Sequence, residues 1–100
     1  MQPVFDLHNQ VVELDTQIKA REAEVAEISK DQDRLRENMK ALKGTPEEKA
    51  LLLRYTGELN AQEDRLAALN KEIAQLQLDR TAANKAYEDK LDAISLEDTL

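Results

Sequence analysis

Apolar residues recur at alternating steps of three and four from Val4 to Leu42 without one slip. The positions are Val4, Leu7, Val11, Leu14, Ile18, Arg21, Val25, Ile28, Gln32, Leu35, Met39 and Leu42, and only Arg21 and Gln32 are not apolar. A surface helix of a globular domain repeats at about its own turn of 3.6 residues, so its stripe runs straight along the axis. A strict stripe of about 3.5 residues instead drifts slowly around a straight helix. A repeat of about 3.5 held this long keeps one seam facing a partner helix and winds the pair left-handedly. Val4 takes heptad position a and Leu7 position d.

The run "KGTPEEK" at residues 43–49 then breaks the pattern. Glycine adopts the left-handed backbone that ends many helices, which suits Gly44. Thr45 is a good N-cap, Pro46 a good first helical residue, and Glu48 completes a Thr-x-x-Glu capping box. The stripe resumes at once, through Leu52, Tyr55, Leu59, Gln62, Leu66, Leu69, Ile73, Leu76, Arg80, Ala83 and Tyr87. Beyond Tyr87 the strict heptad calls for Lys90, whereas Leu91 and Ile94 are the apolar pair, so the phase is expected to slip by a residue there. Long helices joined by a short turn lie antiparallel. The expected fold is all-α, a two-helix antiparallel coiled-coil hairpin forming a single domain over residues 1–100. Helix 1 runs from about 4 to 42, the turn over 43–45, and helix 2 from about 46 to 95, with a frayed C-terminus.

Composition agrees with a thin core. Charged residues make up 35% of the chain and aromatics 3%, so no thick globular interior can form. The net charge is −7, with residues 1–43 contributing −2 (seven Lys/Arg, nine Asp/Glu) and residues 44–100 contributing −5 (seven and twelve). Such a surface repels nucleic-acid phosphates and anionic membranes, and no apolar run is long enough for membrane insertion. With no cysteine there is no disulfide or thiol chemistry. His8 is the single histidine and sits at an outward e position, so catalytic, metal and cofactor roles are all expected to be absent. Two glycines cannot make a phosphate-binding loop. A transfer-RNA-gripping arm would be basic, and a zinc hook would need Cys-x-x-Cys at the tip.

In an antiparallel pair, a residues layer against d residues. Placing Leu42 opposite Leu52 puts Met39 opposite Tyr55, Leu35 opposite Leu59, Ile28 opposite Leu66, Val25 opposite Leu69 and Ile18 opposite Leu76. Gln32 then falls opposite Gln62. A glutamine pair satisfies its own amides and penalises slipped registers, in which a glutamine would face leucine. The alternative is a polar ligand or water site between the helices. Arg21 faces Ile73 and Leu14 faces Arg80. Such arginines can lay their stems over the stripe and reach Glu22, Glu24, Glu72 or Asp79. Asp31 and Arg65 are expected to pair across the hairpin.

Apolar residues also lie off the seam. Phe5, Val12, Leu96 and Leu100 are the candidate patch for self-association, which would make a four-helix bundle from two hairpins. Leu51, Leu53 and Leu78 are further ones. Asp33, Arg34 and Glu37 point away from the stripe and are the candidate partner-facing residues.

The words "ISKDQDRLRENMKAL" at 28–42 and "LLLRYTGELNAQEDRLAALNKEIAQL" at 51–76 resemble the C-terminal helical hairpin of an uncharacterised group of bacterial proteins. In that group a mostly β domain of unknown function precedes a coiled coil. The likeness rests on Asp33 to Asn38, the region of Tyr55, and Gln62 to Leu66, and covers about half the chain. It implies an excised or terminal module of a larger bacterial protein, with no catalytic residue to carry over. The residues leave the compartment unknown, and a bacterial-envelope location would come from the resemblance alone. Met1 need not be the natural start, so the lack of a targeting signal says nothing of a parent protein.

The expected function is a non-enzymatic structural or protein–protein interaction module. Its partner is a protein or a second copy in a homodimer. The alternative is a binding module whose open hairpin face docks a partner helix or peptide.

Overall fold

The computed structural model describes residues 3–99, with side chains as far as Ser95. Two helices, α1 (Val4–Lys40) and α2 (Pro46–Thr99), pack against each other as an all-α hairpin, with no strand among the described residues. α1 stops slightly before the expected boundary because its last turn tightens. The N–H of Ala41 donates to the Asn38 carbonyl at 3.3 Å, and that of Leu42 to the Met39 carbonyl at 3.1 Å. Such three-residue closures satisfy carbonyls that an ending helix leaves without partners. α2 runs on to Thr99 rather than ending near 95.

The connection is built as its residues dictate. Gly44 has φ of +87°, and a Cβ there would touch nothing within 4 Å, so glycine is needed for its backbone and not for space. Thr45 Oγ1 accepts from the Glu48 N–H at 3.2 Å, and Glu48 Oε1 accepts from the Thr45 N–H at 3.3 Å, closing the capping box. Glu48 Oε2 adds a bond the motif does not announce, accepting from the Lys43 N–H at 2.7 Å. One carboxylate therefore ties the turn to the start of α2.

The chain divides into two compact units, each containing a stretch of both helices. In the unit of residues 22–71, Leu35 and Leu69 are fully enclosed and Gln32 is 5% exposed. In the unit of residues 1–21 and 72–100, Leu7, Val11 and Ile18 are buried. All six are seam positions. Many other seam residues, including Leu14, Val25, Ile28, Leu59, Leu66, Ile73 and Leu76, are only half-buried. Two helices cover each other along one line and leave both flanks of that line open.

Three expectations change. The heptad does not slip after Tyr87: Lys90 is half-buried, while Leu91 is 40% exposed. α2 is continuous there, so its turn carries Lys90 rather than Leu91 towards α1, whichever of the two is apolar. Arg21 behaves as expected, its Nε donating to Glu72 Oε1 at 3.2 Å. Arg80 pairs instead with Asp15, which was not among the expected acceptors. Adjacent residues on a helix do not face each other, so Asp79 is out of reach, and Asp15 beside Leu14 lies across the seam. Arg65 bonds Glu24 at 2.6 and 3.1 Å rather than Asp31. The Asp31 carboxylate is engaged by Arg34 and Gln62.

Candidate interaction surfaces

Within the unit of residues 22–71, the polar layer is crossed. Gln32 and Gln62 do not bond each other. Gln32 Nε2 donates to Glu63 Oε1 at 2.9 Å, and Gln62 Nε2 donates to Asp31 Oδ2 at 2.6 Å. Each glutamine reaches the carboxylate next to the other. A carboxylate accepts more strongly than an amide oxygen, and Asp31 and Glu63 stand at the seam's edge where water still solvates them. The register is the expected one, and the chemistry of the layer is different.

Asp31 also accepts from Arg34 Nε at 2.8 Å. The Arg34 guanidinium, and then the Gln62 amide, hold its carboxyl below the usual value of 3.8. Gln62 gains less. Its Oε1 is buried and has no donor among the described residues. Turning the amide over would bring that oxygen against the Asp31 carboxylate, so the bond to Asp31 leaves the other end of the amide without a partner. A buried acceptor without a donor costs roughly 1–3 kcal/mol. The layer is thus polar on the seam and carried at some expense in stability.

Within the unit of residues 1–21 and 72–100 lies an open groove of about 540 Å³. Its floor and walls are Leu7, Gln10, Leu14 and Gln17 from α1 and Ala82, Ala83 and Ala86 from α2, with Glu13 and Asp79 among the lining residues. The sequence explains the gap. At two successive seam positions α2 carries Arg80 and Ala83 where larger apolar residues would fill the layer. Arg80 turns to Asp15, and neither of these lines the groove. Alanine is too short to replace the missing bulk, so Leu14 keeps one side uncovered. His8 rests on Tyr87, ring centroids 5.3 Å apart, and both stay clear of the groove.

A second hollow, in the unit of residues 22–71, is lined by Arg36, Met39, Lys40, Leu52 and Leu59. Its cations are already engaged along α1, Arg36 with Asp33 at 3.6 Å and Lys40 with Glu37 at 2.9 Å. The residues expected to face a partner are therefore Asp33, Arg34 and Glu37 in exposed ion pairs with neighbours on their own helix, Arg34 with Asp31. Phe5 is 73% exposed and Val12 49% exposed. Both sit at b positions, on the flank of α1 away from the groove. Leu96 and Leu100, the other half of the expected self-association patch, lie outside the residues whose side chains are described.

Among the described residues there is no cluster of three or more His, Cys, Asp or Glu placed to hold a metal ion. No helix among them is long and apolar enough to cross a membrane. The class defined by this geometry is an all-α helical hairpin with a crossed polar layer and an open groove. The chain matches no family model, no curated protein and no solved structure among those compared.

Proposed function

We propose that the chain is a non-enzymatic protein–protein interaction module, a hairpin that offers its half-covered seam to a further helix. The observation that supports this is the groove beside Leu14, where the seam is left unfilled by Ala83 and by the turning of Arg80 to Asp15. Exposed apolar surface lined by regular helical ridges is what a third helix packs against. The open groove offers no enclosure in which a small substrate would lose its water, as an active site requires. That the module belongs to a larger bacterial protein is a further part of this reading, resting on the resemblance of its sequence words.

Site-specific photo-cross-linking tests the reading. A photoreactive residue in place of Ala86, in the groove, should give a discrete protein adduct in the source cell. The same residue in place of Ala67, on an exposed face, should not. No adduct from Ala86, or the same adducts from both positions, would remove the assignment.

A further inference from the structure

We infer that the groove along Leu7, Leu14, Ala83 and Ala86 receives an amphipathic helix of another protein, with an aliphatic stripe flanked by lysine or arginine. The inference rests on the interaction-module reading and adds the chemistry of the partner. Its first ground is the shape of the groove. Leucines stand on one wall and alanines on the other, so a partner can bring its backbone close to α2 and set its own large side chains where α2 has none.

Its second ground is charge. Glu13 and Asp79 are among the lining residues, and neither forms an ion pair with a described residue. Asp79 accepts only an amide bond, from Gln75 at 2.9 Å. The remaining polar lining, Gln10 and Gln17, is neutral. The hollow near the turn differs, because its charges are balanced along α1. The stretches of this unit, 1–21 and 72–100, carry five Lys/Arg and ten Asp/Glu, which is −5 of the chain's −7. A second copy would bring like charge to an acidic rim. A helix with cations beside its apolar stripe would meet two carboxylates that no described cation pairs with and be steered towards them.

Two synthetic peptides test this. Both are helices of the same heptads, with leucine and alanine on the inner face. One carries lysine on its flanks and the other glutamate. Fluorescence anisotropy of each is measured against the full chain at low and high salt. The lysine peptide should bind and weaken as salt rises, and the glutamate peptide should not bind. The double variant Glu13→Lys/Asp79→Lys should lose roughly five- to ten-fold affinity for the lysine peptide, as expected for two rim pairs, and gain binding of the glutamate peptide. Circular dichroism of the variant shows whether it stays helical. Equal binding of the two peptides would overturn the basic-partner inference and leave the module reading standing. So would a stable dimer of the chain that Ala86→Arg dissolves, because a second copy would then fill the groove. If neither peptide binds and no dimer forms, the inference falls. The cross-linking experiment then decides the module reading separately.

Discussion

Among the described residues, Leu35 and Leu69 are fully buried, so the seam packs most tightly around them. Leu35→Ala or Leu69→Ala should cost about 2–5 kcal/mol in urea unfolding, since neighbours on a two-helix seam cannot all collapse into the space. Leu53, 75% exposed, should tolerate the same change within about 0.5 kcal/mol. The glutamines follow a different rule. Because Gln62 buries an oxygen without a donor, Gln62→Leu should be neutral or stabilising by about 1 kcal/mol. Gln32→Leu should gain less, because the Gln32 amide has its bond to Glu63. A double-mutant cycle should find coupling of about 0.5–1 kcal/mol between Gln32 and Glu63 and almost none between Gln32 and Gln62. Strong coupling of the two glutamines would mean that their amides bond directly. The heptad showed that a polar layer exists and which residues share it. It could not show the crossed bonds, because periodicity locates a side chain on the seam and says nothing of which neighbour its amide prefers.

The turn and the start of α2 set the next scale. The two glycines make a controlled comparison. Gly44 sits at φ +87° and Gly57 lies inside α2, and a Cβ at either would meet open space. Gly44→Ala should therefore destabilise by about 1–2 kcal/mol through backbone strain alone. Gly57→Ala should stabilise by about 0.5–1 kcal/mol, since glycine inside a helix wastes backbone entropy. Thermal melts of the two variants should move in opposite directions. Glu48 gives the turn a pH dependence. The Lys43 N–H, and then the Thr45 hydroxyl, hold its carboxyl below the usual 4.5. A carboxyl depressed on folding adds stability that is complete above 4.5 and disappears as the pH falls through its lower folded value. Glu48→Gln should therefore be less stable than the parent at neutral pH, and the gap should close in acid. A gap that stays constant with pH would mean that the carboxylate charge plays no part. This turn was the most legible element in the sequence, because Gly44, Thr45 and Glu48 each act on backbone within a few residues. Partners across the seam were less legible. Arg80 chose Asp15, and Arg65 chose Glu24, by reach and competition that a linear pattern does not encode.

At the scale of the whole molecule, the sequence specifies two helices and a seam but too little apolar bulk to close both flanks of that seam. The fold class could be read from the unbroken repeat. The groove could not, because it depends on where Arg80 goes once Ala83 has left room. We propose that this incompleteness serves another protein and not a second copy of the chain. Sedimentation velocity of the purified chain over a wide concentration range tests that most directly. The prediction is a single helical species at the monomer mass of 11.4 kDa throughout, with a melting temperature that does not depend on concentration. A stable species of twice that mass, melting higher as concentration rises, would contradict it.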